Sequence, residues 1–192
     1  MRISTAIRMT IVLTLLTGVV YPLVVWVIGQ FLFPVQANGS LVAREHKVVG
    51  SALIGQNFAD PKYFHSRPSA AGDKGYDATS SGGSNLGPTN KSLIDTVRGR
   101  VKDVLAQNPG MTASQVPIDM VTASGSGLDP EISPAAAELQ IPRVAQARGL
   151  NPEQVRAMVL ALTRPRWAGI FGEPGVNVLF LNLSLDQQSG HH

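Results

Sequence analysis

The sequence contains no cysteine, which removes disulfide staples, thiolate metal sites and cysteine nucleophiles without fixing a compartment. Charge is also scarce, at 15% of 192 residues, with 16 basic against 13 acidic side chains and a formal net charge of +3. The basic residues are spread along the whole chain and make no dense patch, which argues against a nucleic-acid partner. No Gly-x4-Gly-Lys-Ser/Thr phosphate loop and no His-Glu-x-x-His zinc motif is present. Glycine (19) and proline (13) are plentiful, which points to a loop-rich domain rather than a helical bundle.

The longest uncharged stretch runs between Arg8 and Arg44. Its most apolar part, Ile11 to Phe33, would form a helix roughly 34 Å long, against a hydrocarbon core of about 30 Å. A signal-peptide core is about 7–15 residues, so a membrane span is the better reading than a signal cleaved after the small residues of Val35-Gln36-Ala37. Residues 1–36 are therefore expected to be the membrane anchor and 37–192 one soluble domain, large enough to bury its own core. Arg2 and Arg8 precede the span and Arg44 and Lys47 follow it, so the positive-inside bias is slight. The short tail is easily retained inside, and a large domain translocates regardless of charge, so the N-terminus is expected in the cytoplasm and the domain outside. At helical spacing Thr14, Gly18, Val25 and Gly29 share one face, small enough for another helix to approach. Tyr21 and Pro22 fall near mid-bilayer, where a phenol and a freed carbonyl need partners.

In the domain, Val48 to Gln56 reads as a first strand, and 57–90 as a long loop rich in Gly, Ser and Pro, a length that is usually functional or disordered. Leu93, Ile94, Val97, Val101, Val104 and Leu105 mark a helix face, stopped by Asn108-Pro109-Gly110. Val116 to Ser124 reads as a short strand. Ser133-Pro134 starts a helix that Pro142 is expected to interrupt. Asn151-Pro152 starts another, with Gln154 placed for a capping box and Val155, Met158, Val159 and Leu162 as its apolar stripe. Val176 to Leu185 reads as a buried terminal strand. The expected class is α/β or α+β with a small mixed sheet.

Several segments invite chemical readings. Ser124-Gly125-Ser126-Gly127 resembles a nucleophile elbow but has serine where glycine is required, and its candidate bases, His46 and His65, lie in loop-like surroundings. The run Ser80 to Pro88 offers backbone amides to an anion, yet no lysine completes a phosphate site, and a tight loop packed on its own domain fits better. Gln140, Arg143 and Arg148 flank Pro142; they either satisfy carbonyls at a kink and cap a helix end, or form a polar contact surface. The terminal His191-His192 pair is assigned no role.

Read in order, the motifs Tyr21-Pro22-Leu23, Gly50-Ser-Ala-Leu-Ile-Gly-Gln56, Tyr63-Phe-His-Ser-Arg-Pro-Ser69 and Ser81-Gly-Gly-Ser-Asn-Leu-Gly-Pro88 form one pattern. Val121-Thr-Ala-Ser-Gly-Ser-Gly-Leu-Asp-Pro130, Gln140-Ile-Pro-Arg-Val-Ala-Gln-Ala-Arg148 and Val176-Asn-Val-Leu179 continue it. Together they resemble, over nearly the whole chain, the C subunit of the bacterial Kdp potassium-transporting ATPase. The resemblance implies a non-catalytic inner-membrane subunit whose partners are a channel-like potassium-translocating subunit, a P-type ATPase subunit and membrane lipid. The Asp-Lys-Thr-Gly phosphorylation motif is absent, so ATP and K+ would be handled by the complex, with no cofactor held directly by this chain. The family implies a catalytic chaperone that raises ATP affinity, with the glutamine matching Gln140, beside Arg143 and Arg148, as the nucleotide or subunit contact. The leader argues for the domain being outside, where Gln140 could not reach cytoplasmic ATP, so the effect would be coupling through the membrane helices. The expected docking surface is the 57–90 loop with the 121–130 segment: Tyr63, Phe64, Arg67, Ser84, Asn85, Ser124, Ser126 and Asp129. The span would pack on a partner through Thr14, Gly18, Tyr21, Pro22 and Gly29. Two further classes stay open, a free-standing anchored binding module and an anchored hydrolase using Ser126.

Overall fold

The computed structural model describes Arg2 to Ser189; the His191-His192 pair lies outside the described residues. The chain forms two compact units, residues 1–51 and 52–192.

In the first unit the charge-free run is a helix of 31 residues, Arg2–Leu32, long and apolar enough to cross a membrane. It comprises α1 (Arg2–Leu15), a π-helical turn (Leu16–Val20) and α2 (Tyr21–Leu32). The π turn answers the problem set by Pro22. A proline has no N–H to donate, and one wider turn just before it lets the Tyr21 N–H reach the Leu16 carbonyl. The Thr17 hydroxyl donates back to the Leu13 carbonyl at 2.7 Å. The wider turn also corrects the expected small-residue stripe. It rotates the face bearing Val25 and Gly29 by on the order of a quarter turn from that bearing Thr14 and Gly18. A one-turn helix α3 (Pro34–Ala37) and the hairpin β1 (Leu41–Arg44) and β2 (Lys47–Ser51) complete the unit. The hairpin turns at Glu45 and His46, both at positive φ, so the expected strand 48–56 is the second arm of a hairpin and ends at Ser51.

The second unit begins with the irregular segment 52–90, followed by α4 (Lys91–Gln107), β3 (Glu131–Ile132), α5 (Pro134–Arg148), α6 (Pro152–Leu162), β4 (Thr163–Arg164), β5 (Gly175–Asn177) and α7 (Val178–Ser189). The chain thus mixes helix and sheet, as expected, although every described strand pairing is antiparallel. β5 lies between β3 and β4, with Ile132 and Thr163 both opposite Val176. The core is made of Phe64, Ile132, Ile141, Val144, Val155, Val176, Val178, Leu181 and Leu185, each at most 2% exposed.

Local signals set most helix starts. Asn90 caps α4 through Ser92 N–H, Ser133 caps α5 through Ala136 N–H, and Asn151 with Gln154 forms the expected capping box on α6. Three expectations fail. Residues 116–124 are not a strand, because Pro117 lacks a ladder donor and Asp119 is drawn to the start of α5, accepting from Ser133 N–H (2.7 Å) and its hydroxyl (3.1 Å). A short 3-10 turn, Ile118–Met120, takes its place, preceded by another at Ala113–Gln115. Pro142 does not break α5. Fully buried Ile141 and Val144 on either side hold the helix in the core, outweighing a local proline penalty of about 3 kcal/mol. The terminal apolar run is strand only to Asn177. Beyond it Val178, Leu181, Asn182 and Leu185 are buried at the i, i+3, i+4, i+7 spacing of a helix, and Asn177 accepts from Phe180 N–H at 3.2 Å to start it.

Candidate functional site

Five residues of the long loop, Pro61 to His65, run across α5 and α7 without joining a sheet. Their backbone groups are instead met one by one by side chains. Gln140 accepts from His65 N–H at 2.7 Å and returns its amide N–H to the His65 carbonyl at 3.2 Å. Asn182 treats Phe64 the same way, accepting at 2.8 Å and donating at 3.0 Å. Arg143 donates to the Pro61 and Tyr63 carbonyls, and Arg148 to that of Lys62 at 2.6 Å. Four side chains therefore do for this segment what a neighbouring strand would do, which meets the requirement that buried peptide groups be paired.

The two arginines make further contacts, and only Arg148 has an acidic partner among the ion pairs of the described residues. Arg143 also donates to Gln140 Oε1 at 2.7 Å, fixing which way that amide faces. Burial lowers the Arg143 guanidinium to about 10, so it stays charged at neutral pH. Arg148 pairs with Asp186 at 2.8 Å and lies 4.9 Å from the Tyr63 ring centre, while the Tyr63 hydroxyl donates to Asp186 at 3.1 Å. The three residues singled out around Pro142 are thus brought together on one segment, not on the carbonyl freed at the proline, and Gly149 in the left-handed conformation ends the helix. Asn182 and Asp186 were missed in the sequence. Their signal was two polar residues four apart inside an apolar run, a helical interval.

His65 is half-buried, with Nε2 3.4 Å from the Asp60 carbonyl. Burial first, and then the Arg143 charge, depress its pKa below the ordinary 6.5. The folded chain thus holds this proton less tightly than the unfolded one. The contribution of neutral His65 is complete above 6.5 and is lost as pH falls below it. The thermal midpoint is expected to fall between about pH 7.5 and about pH 5.5, and His65→Gln to flatten that part of the profile.

The expected docking residues divide. Phe64 is a core residue at 0% exposure and Ser124 is buried, so neither presents its side chain to a partner. Arg67 and Asp129 pair at 2.8 Å on the wall of an open groove of about 400 Å³. Ser84, Asn85 and Ser126 are exposed. The glycine-rich run and the 121–130 segment are packed on each other: Gly82 N–H and the Ser81 hydroxyl donate to the Ser126 carbonyl at 2.8 and 3.0 Å. The run is therefore a loop braced on its own domain. The Ser126 hydroxyl accepts from Leu128 N–H at 3.1 Å and approaches that of Ser124 at 3.5 Å, so among the described residues its hydrogen bonds are made within its own loop.

A family model described as "K+-transporting ATPase, c chain" matches residues 3–187. The chain is 57% identical to the potassium-transporting ATPase KdpC subunit of Polaromonas naphthalenivorans, over 94% of its own length and 92% of that protein. It is 55% identical to the same subunit of Gemmatimonas aurantiaca, covering 96% and 92% of the two chains, and 56% identical to that of a Janthinobacterium species, covering 92% and 93%. The match takes in the apolar span, the clamped 61–65 segment and the helices that hold it, and so the chain belongs to the family of K+-transporting ATPase c chains.

Proposed function

We propose that this chain is the non-catalytic accessory subunit of an ATP-driven, high-affinity potassium uptake complex, and that it stabilises the assembly and raises the ATP affinity of the pump subunit by indirect coupling. Its partners in this reading are a channel-like potassium-translocating subunit and a P-type ATPase subunit. The span anchors it in the bacterial inner membrane with the N-terminus cytoplasmic and the second unit outside. The observation that carries the reading is the state of Gln140. At 1% exposure, its amide is spent on both peptide groups of His65, on Arg143 and on the Ala136 carbonyl. A nucleotide base could hydrogen-bond to it only after the 61–65 segment had left α5. What Gln140 controls is the seating of that segment and of the loop that follows. The exposed parts of 57–90 and 121–130, with Ser84, Asn85 and Ser126, supply the docking surface over the outer mouth of the channel-like subunit. An effect on ATP affinity is then a coupling between distant sites, typically about 1–3 kcal/mol.

The test uses the complex purified through this chain. Gln140→Ala and Asn182→Ala should raise KM for ATP alike, by roughly fivefold or more if the coupling lies in its usual range, or reduce recovery of potassium-stimulated ATPase alike. An azido-ATP probe should label the pump subunit and leave this chain unlabelled. A KM change confined to Gln140→Ala, together with labelling of this chain, would refute indirect coupling in favour of a nucleotide contact.

A further inference from the structure

Between β4 and β5 the chain turns through Trp167-Ala168-Gly169-Ile170-Phe171-Gly172, and there Trp167, Ile170 and Phe171 are 71%, 72% and 61% exposed. Three large apolar side chains in so short a stretch form a concentrated patch. The tip is built rather than loose. Trp167 and Phe171 exchange backbone hydrogen bonds, each N–H donating to the other's carbonyl at 2.9 Å, and Gly169 and Ile170 N–H groups donate back to Arg166 and Trp167. The two rings meet at 5.6 Å. Ala168, Gly169 and Gly172 take the positive φ values the turn requires. The charges at its base are neutralised in pairs, Arg166 with Glu173 and Arg164 with Glu131, each at 2.7 Å.

We propose that this tip inserts into the interfacial layer of a lipid bilayer. Paired backbone groups cost less to take out of bulk water, and here the N–H groups of Trp167, Gly169, Ile170 and Phe171 are satisfied within the turn. It must carry no unpaired charge, and the six tip residues carry none. Tryptophan and phenylalanine are the side chains that favour the boundary between headgroups and acyl chains. A bilayer is available because the same chain carries a span, Arg2–Leu32, to which the second unit is covalently tethered. The proposal needs only that span and does not depend on how the subunit affects ATP affinity.

The chain has two tryptophans, Trp26 in the span and Trp167 at the tip, so Trp26→Phe leaves Trp167 as the sole emitter. The full-length variant is reconstituted in phosphatidylcholine–phosphatidylglycerol vesicles containing lipids brominated at known depths. The expected result is blue-shifted Trp167 emission, quenched more by bromines high on the acyl chain than by deep ones, with acrylamide access reduced several-fold. Adding Ile170→Ser and Phe171→Ser should abolish these effects. Water-like emission with full acrylamide access and no bromolipid quenching would overturn the proposal. If shielding then arose only in the assembled complex, the tip would belong to a protein partner instead.

Discussion

Replacing Gln140 with leucine should lower the stability of the second unit by about 2–6 kcal/mol, a large share of the 5–15 kcal/mol a domain typically has. Leucine fills a similar volume, so the loss is not chiefly a cavity effect. It leaves the His65 N–H and carbonyl, which Gln140 now meets at 2.7 and 3.2 Å, without partners where water enters poorly, and each such group costs about 1–3 kcal/mol. Asn182→Leu should cost about as much, because it strands both peptide groups of Phe64, whose side chain is fully buried. Gln140→Glu should fall between. Its carboxylate still accepts from His65 and Arg143 but donates nothing to the His65 and Ala136 carbonyls. The two leucine variants combined should cost less than their sum, since losing either clamp loosens the one segment both hold. Denaturant unfolding of the full-length chain in mild detergent, followed by near-ultraviolet dichroism, gives these differences. A Gln140→Leu change within about 0.5 kcal/mol, the range of an ordinary surface substitution, would mean that the clamp contributes little.

How legible this arrangement was in the sequence depended on whether the signal was local. The span, α4 and the starts of α5 and α6 were readable because a charge-free run, Asn108-Pro109-Gly110, Ser133-Pro134 and Asn151-Pro152 act within a few residues of where they stand. The π turn was not, although Pro22 gave its cause, because a proline in a span can be accommodated in several ways. Pro142 misled for the opposite reason: its local penalty is real, but tertiary burial of Ile141 and Val144 overrides it. The run after Val176 is apolar enough for strand or helix, and only the burial of Asn182 together with Leu185 separates them. The site itself was half visible. Gln140, Arg143 and Arg148 stood out by their spacing. What they hold could not be read from sequence, because Pro61 to His65 contribute backbone groups, which carry no residue signature.

Gly127→Ala should be among the most damaging small changes in the chain, and Gly125→Ala, two residues away, nearly silent. At Gly127 φ is +67°, and an added Cβ would lie 2.6 Å from the Gly82 carbonyl oxygen, 2.7 Å from Ala71 N and 2.9 Å from Ala71 Cβ. The left-handed conformation alone costs a non-glycine residue about 1–2 kcal/mol. Forced overpacking typically adds about 1–3 kcal/mol, so a total of about 2–5 kcal/mol is expected. The methyl cannot be relieved by a side-chain rotation, because the atoms it meets are backbone or the first side-chain carbon. The backbone it meets at Gly82 is itself tied to Ser126 at 2.8 Å, so relief must move both the 80–88 loop and the Ala71 backbone away from the 121–130 segment. At Gly125 an added Cβ finds nothing within 4 Å, and the change should stay within about 0.5 kcal/mol. Thermal melts of the two variants test the stability difference, and hydrogen exchange at 80–88 tests its location. If the exposed residues of these two segments are the docking surface, Gly127→Ala should also lose co-purifying ATPase while Gly125→Ala retains it. Equal melts for the two variants would show that the interlock of the two loops is not what holds them in place.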